Sequence, residues 1–563
     1  MAVADIPAAK RAGLPVDLQR LAAEGDGWLT AEDRYALKTY GVCAQVQPGV
    51  FMIRCRVVGG RLSPRQARSL ATLAERYGQG WLHLSTRQNL ELHWVEARQV
   101  PAALEAISKM GLSTRSTCGH TLRNVMSCPD AGVGLDEPFD CYPDARLVSA
   151  SIVMRSGQLN CRLPSRVNLA FGGCPSCRDH ALLNDGGFVS GVVDGVAGYQ
   201  LWAGGSLGTK PMLALPLCEF VPRVDAVAAA LALIEVFVAH GDIDNPKKGR
   251  MKYAIEALGE AAFRRAFDAA FERHKSLRAG LAPPPGVLVQ SSAQLSEILR
   301  HLPEGGWGNG VRPERTPGRA TVTANVPLGD LTPDELRALA GLARRHADGM
   351  LYLTRNQNVA LRGVRLADLT TVRSSLAAHG LGLEGAEEAG DVRACTGSAV
   401  CSLAITAAPA AGRRLLGCGA LARNSNLRVH VSGCPNSCAQ HQAADIGLSG
   451  AKVRVNGQVQ LGYHLWLGAD LASRRVAEDL GRVAEPEVEA VVEAVVGVWE
   501  ALRYKAEPFA ATVARVGGEA FAAQIATVAE GFDPGPDPLD PEATSPLVID
   551  VTEAMQPAMQ LVP

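Results

Sequence analysis

The stretch CRVVGGRLSPRQARSLATLAERYGQGWLHLSTRQNLELHWV, from Cys55 to Val95, returns as ANVPLGDLTPDELRALAGLARRHADGMLYLTRNQNVALRGV from Ala324, at an ungapped offset of 269 residues. Self-similarity at one fixed offset means one supersecondary unit used twice. Both copies open a helix in the same way. Ser63 or Thr332 stands at the N-cap, Pro64 or Pro333 at the first helical position, and Gln66 or Glu335 closes a capping box. Behind the caps, Ala67, Leu70, Ala71 and Ala74, and likewise Leu336, Leu339, Ala340 and Ala343, keep the spacing of one buried helix face. Two short alternating runs then predict a hairpin in each copy: Trp81 to Thr86 with Leu90 to Trp94, and Leu351 to Thr354 with Val359 to Arg362. The hairpins close through TRQN and RNQN. Two matched polar turns either stay solvated or converge across a pseudo-twofold axis on a shared ligand.

The similarity continues, because RVNLAFGGCPSC from Arg166 matches LRVHVSGCPNSC from Leu427. The whole chain therefore reads as a duplicated half, each half a small α/β unit followed by a larger one with cysteines at a strand-to-loop transition. At 563 residues it is long enough for several domains. Its 56 Lys and Arg against 57 Asp and Glu give no net field for nucleic acid or an anionic membrane, so any anion site has to be local. The opening MAVADIPAAKRAGLPVDLQRL has no apolar run of signal-peptide length, and no segment reaches the roughly 18 apolar residues of a spanning helix. A soluble cytoplasmic protein is expected. In such a chain the 14 cysteines point to metal, cluster or redox roles before disulfides.

The most specific signal is a quartet. Cys395 and Cys401 have five residues between them; 32 residues further on come Cys434 and Cys438, with three between. Four thiolates from two loops suit tetrahedral zinc or a 4Fe-4S cubane. Small neighbours in CTGSAVC and SGCPNSC leave room for inorganic sulfide and favour the cluster. Cys118, Cys128, Cys174 and Cys177 form a second set with different spacing, nine residues between the first two and two between the last. They are expected to be a remnant of the duplication, with a second metal site left open.

C-x5-C followed by GCPNSC, a duplicated chain, and TRQN after a strand resemble the siroheme and 4Fe-4S nitrite and sulfite reductases, over roughly residues 35 to 510. The resemblance implies an α/β (α+β) fold: an internally duplicated nitrite/sulfite reductase fold, two ferredoxin-like half-domains plus two larger α/β siroheme and cluster domains. The boundaries expected are an N-terminal extension at 1–43, half-domain repeats at 44–113 and 317–383, and α/β domains at 114–282 and 384–530. A linker is expected at 283–316 and a Pro-rich acidic tail at 531–563. The resemblance further implies cluster ligands Cys395, Cys401, Cys434 and Cys438, with Cys438 also bridging to the siroheme iron.

Siroheme carries many carboxylates, which arginine binds well because its fork is bidentate and stays charged. By position in the family's pattern, Arg54 and Arg123 face the substrate, and Arg87 holds the macrocycle with Gln88, Asn89, Asn124 and Asn436 beside the cofactors. The next motif departs from the pattern. Arg166 takes the place of the usual lysine, and Asn168 takes the position that carries lysine in sulfite reductases and asparagine in nitrite reductases. Arginine is a poor proton donor, so proton delivery falls to ordered water or to His120. Lys210, Lys247, Lys248, Arg250 and Lys252 form a basic stretch, either solvated or facing siroheme or an acidic electron donor.

The activity implied is six-electron reduction of a small oxyanion, nitrite to ammonium or sulfite to sulfide. With no GxGxxG strand-turn-helix in the chain, electrons are expected from a ferredoxin or a flavoprotein. The alternatives are tetrapyrrole oxidation of the precorrin-3B synthase type and a non-catalytic iron–sulfur or zinc module.

Overall fold

A computed structural model describes residues 4–275, 292–300, 307–387, 391–424 and 426–534. It divides into two compact units. The first runs to Glu387 without Gln45–Gln47 and Leu207–Pro211; the second takes those two segments and the rest of the chain.

Within the first unit, the capped helices form as the sequence dictates. Pro64–Tyr77 and Pro333–His346 both carry complete capping boxes. Each packs on a five-stranded sheet. One sheet runs Val42–Ala44, Val50–Cys55, Leu90–Glu96, Leu82–Leu84, Asp330–Leu331; the other runs Val311–Pro313, Arg319–Ala324, Val359–Arg365, Leu351–Leu353, Arg61–Leu62. The fifth strand of each sheet is therefore donated by the other copy. Leu70, Leu82 and Leu92 share one apolar core with Leu339, Leu351 and Leu361.

The exchange is stapled by the polar turns. Gln88 donates to the Leu353 carbonyl at 3.0 Å and Gln357 to the Leu84 carbonyl at 2.9 Å. Both glutamines have positive φ, 55° and 67°, a conformation that needs such bonds to hold it. The crossing segments come too close for a side chain. A Cβ on Gly60 would lie 2.2 Å from Leu353 O, and one on Gly329 2.8 Å from Leu84 O.

Two expectations change here. The hairpin strands were read as alternating, yet their polar face is buried too, because Glu91 and His93 join a network with Arg54 and His83. The stretch expected as a linker at 283–316 contains the helix Ser292–Arg300 and the edge strand Val311–Pro313. Its proline ends an edge strand, where a missing N–H is tolerated. Pro283 and Gly305, and the tail from residue 535, lie outside the described residues.

The larger domains repeat one topology. In the first unit, Leu122–Ser127, Val167–Gly172 and Gly186–Val193 run parallel, followed by antiparallel Val196–Ala203 and Leu215–Pro222. In the second, Arg393–Ala394, Val429–Ser432 and Ile446–Val455 run parallel, followed by antiparallel Gln458–Leu467 and Glu478–Ala484. Asp185 accepts the Asn168 N–H at 2.9 Å, and Asp445 the Arg428 N–H at the same distance. The cysteines follow the carboxyl ends of the parallel strands, where α/β sheets place their ligands.

Replacing Gln88 with leucine strands the Ser127 N–H and the Ser127 and Leu353 carbonyls that its amide satisfies. We expect a loss of about 3 kcal/mol, read as a lower denaturant midpoint. An unchanged midpoint would remove the staple from the account.

Candidate functional site

In the second unit Cys395 ends the strand Arg393–Ala394, and Cys434 follows Val429–Ser432 after Gly433. The Cys395 N–H bonds the Val431 carbonyl at 3.1 Å, and the Gly433 N–H donates to Cys395 Sγ at 3.1 Å. Cys401 closes its loop on the Gly397 carbonyl. The loops are tight: a Cβ on Gly433 would sit 3.1 Å from Gly397 Cα. Burial, then the neighbouring Cys438 thiol, pushes Cys395 well above its ordinary pKa; burial, Cys438 and Cys401 push Cys434 up to about 12. Cys395 and Cys434 thus lie close enough to the other thiols to be perturbed by them, as in a set that expects a cation. The donor set, four cysteines from two loops with backbone N–H groups directed at Cys395 and Cys434, fits a multi-iron cluster. Asn436 bonds Cys434 through its backbone and side chain. Cys438 alone of the four is exposed.

In the first unit, Arg54 and Arg123 converge. Arg54 Nη1 and Arg123 Nη1 both donate to the Thr117 carbonyl, at 3.1 and 2.5 Å. Arg54 Nε pairs with Glu91 at 2.8 Å across neighbouring strands, which is how a charge sits in an apolar strand. Burial opposes that charge, but Cys118 and Glu91 outweigh it and raise the Arg54 pKa. Arg123 bonds only the carbonyls of Thr117 and Gly119 among the described residues. Burial lowers its pKa and that of Arg87, and the surrounding arginines add to the shift. Arg87 reaches Asn184 Oδ1 at 3.2 Å. Asn124 donates to the Val57 and Arg87 carbonyls. Asn89, Asn124 and Asn168 each keep a buried amide oxygen with no bond. The arginines suit an anion, and the three amide oxygens are acceptors left for a donor.

Other positions fall differently. Gln88 spends its whole amide on the staple and on Ser127, leaving no polar atom for a cofactor. Arg166 is half-buried and bears on His120 electrostatically. His120 is itself half-buried, and burial followed by Lys10, Arg166 and Arg123 holds its pKa down to about 3, so it is uncharged and carries no proton to give. Its neighbour was missed. Lys10, on the helix Ile6–Arg11, is buried, with Nζ 3.3 Å from His120 Nδ1 and bonded to the Leu163 carbonyl. Burial lowers its pKa to about 8. Of the basic stretch, Arg250 grips Asp185 and Lys252 is buried, while Lys247 and Lys248 are exposed.

Cys118 stands apart from its expected partners, within reach of Cys43 and 3.4 Å from Arg54 Nη1. Cys128, Cys174 and Cys177 come together. Among the described residues no helix is long and apolar enough to cross a membrane.

Comparison with known proteins matches residues 118–275 and 390–531 to the nitrite and sulphite reductase 4Fe-4S domain. Residues 44–110 and 312–379 match the nitrite/sulfite reductase ferredoxin-like half domain. A ferredoxin–nitrite reductase of Synechococcus elongatus is 32% identical over 80% of this chain and 86% of its own. An assimilatory ferredoxin-dependent nitrite reductase of Haloferax mediterranei is 27% identical over 91% and 89%. The solved NirA protein of Mycobacterium tuberculosis superposes with a TM-score of 0.78 at 24% identity, over 92% of this chain and 98% of that one, and so shares the fold.

Cys434→Ser and Cys401→Ser proteins should lose acid-labile sulfide and the iron that accompanies it, whereas Cys118→Ser should retain both. Sulfide retained in the first two would move the cluster elsewhere.

Proposed function

This chain belongs to the nitrite and sulphite reductase family, and from that premise we propose that it reduces nitrite to ammonium with electrons from a reduced ferredoxin, using siroheme and a 4Fe-4S cluster. The observation that carries the reading is the convergence of Arg54 and Arg123 on Thr117 beside Arg87, a half-buried concentration of positive charge short of carboxylates. Siroheme would supply the iron at which nitrogen is reduced, and the cluster would pass electrons singly.

The chain's own groups divide the remaining work. Arg87 and Asn89 would bind the macrocycle's carboxylates, while Asn124 holds the Arg87 backbone in place. Arg54 offers Nη2, which has no partner among the described residues, and with Arg123 and Arg166 it neutralises the anion's oxygens as charge develops on them. Asn168 presents an amide where a lysine would favour a more highly charged oxyanion. Cys395, Cys401, Cys434 and Cys438 would hold the cluster, with Asn436 supporting Cys434. Lys10 holds the proton that Arg166 cannot release, its Nζ against His120 Nδ1. The relatives' names favour nitrite.

Anaerobically purified protein with a reduced viologen dye, offered nitrite and sulfite side by side, tests this reading. We expect kcat/KM for nitrite to be higher by at least about tenfold, roughly 1.4 kcal/mol of transition-state binding. A sulfite preference, or turnover of neither, would overturn it. Lys10 loses its proton as pH rises through about 8, so nitrite turnover should fall over that range. Lys10→Met should lower kcat by about a hundredfold and flatten that alkaline limb; an unaltered pH profile would exclude Lys10 from proton supply.

A further inference from the structure

Cys128, Cys174 and Cys177 bring their three sulfurs within 4.8 Å of one another. None of them belongs to the quartet. Each nevertheless occupies a repeated place. Cys128 follows the parallel strand Leu122–Ser127 as Cys395 follows Arg393–Ala394. Cys174 comes one glycine after Val167–Gly172, as Cys434 does after Val429–Ser432, and Cys177 answers Cys438. Nothing answers Cys401: six residues beyond Cys128 stands Gly134.

The compact spacing approaches the roughly 3.8 Å that a single tetrahedral zinc sets between its sulfurs, and it is too tight for a cubane. Cys174-Pro-Ser-Cys177 is a C-x2-C knuckle, and Cys128 and Cys177 are buried. The charge is balanced as well. Arg355 Nη1 lies 2.9 Å from Cys177 Sγ, and one guanidinium cancels the single negative charge of three thiolates on a divalent ion.

A carboxyl side chain completes the surroundings. Glu137 is 2% exposed. Its Oε2 accepts the Gly132 N–H at 2.8 Å, while Oε1 is buried with no hydrogen-bond partner. A Cβ on Gly173 would lie 2.4 Å from that Oε1 and 3.5 Å from Cys128 Cβ, so the orphaned oxygen and the Cys128 side chain flank one point.

We propose that Cys128, Cys174 and Cys177 bind a single zinc ion, with Glu137 holding a water in the fourth position and Arg355 neutralising the site. The site is structural: it ties the ends of two parallel strands to the helix Pro175–Ala181 and, through Arg355, to the second repeat's polar turn. It is independent of the cluster and of the reaction proposed above.

Elemental analysis of the purified full-length protein, with zinc X-ray absorption, tests the site without reference to turnover. We expect about one zinc per chain, with three sulfur neighbours at about 2.3 Å. Cys174→Ser and Cys177→Ser should each lower bound zinc at least tenfold while leaving acid-labile sulfide unchanged. Glu137→Gln should weaken zinc retention against a chelator by about tenfold, and Cys43→Ser should leave it unaltered. Wild-type protein with less than one-tenth zinc per chain overturns the proposal, whether mass spectrometry finds the three as thiols or finds a Cys174–Cys177 disulfide. So does zinc that survives Cys174→Ser.

Discussion

The exchange of strands between the two ferredoxin-like repeats is the constraint on which the rest of the first unit hangs. Each sheet is incomplete without a two-residue strand from the other copy. Such short strands contribute few backbone bonds, so their register rests on side chains. Gln88 and Gln357 fix it reciprocally, at a glycine on each side that admits no Cβ. Leaving a buried carbonyl unmet costs more than a formed hydrogen bond contributes. The glutamines therefore act less as glue than as a filter against every other register.

That filter also positions charge. Glu91 holds Arg54 and lies 3.4 Å from His93, and His83 beside them bonds Asp330 on the donated strand at 2.8 Å. Arg54 is thereby anchored, through buried polar groups, to the element the other repeat supplies. A buried pair of this kind is weak evidence for net stability, because desolvation offsets much of the attraction. Its effect is on direction: Arg54 Nε is committed to Glu91, and its remaining donors have one way to face. Arg123 and Arg87 have no carboxylate of comparable reach, so burial holds their pKa values down. An anion bound beside them would stabilise the folded state that gathers these cations.

Much of this was legible in the residues. Capping boxes, the 269-residue offset and the cysteine spacings are local patterns, and local patterns survive in a single sequence. The strand exchange was not legible, since two residues such as Arg61–Leu62 carry no periodicity. TRQN could be left solvated or turned to a ligand because its four polar residues look alike on paper; the fold shows that Gln88 serves the protein while Asn89 keeps an unbonded amide oxygen. Lys10 escaped notice because it lies in the N-terminal extension, more than a hundred residues from His120. Cys118 was grouped with Cys128 by proximity in sequence, but the strand Leu122–Ser127 runs between them and places them at its opposite ends.

Duplication explains why two cysteine groups occur at equivalent strand ends, and sterics explain why they need not hold the same thing. The quartet draws Cys401 from a loop that turns at Gly397, with φ at +57°. In the first repeat that loop has no fourth cysteine, and Glu137 and Arg355 fill the neighbourhood instead. Removing one thiolate while adding a carboxylate and a guanidinium changes both the volume and the charge that the remaining three can enclose. A site built for several irons and their sulfides cannot shrink gradually, because a cubane with too little room is not a smaller cubane. What three clustered thiolates at a strand end can still satisfy is one compact divalent ion, so loss of the redox centre need not mean loss of the metal.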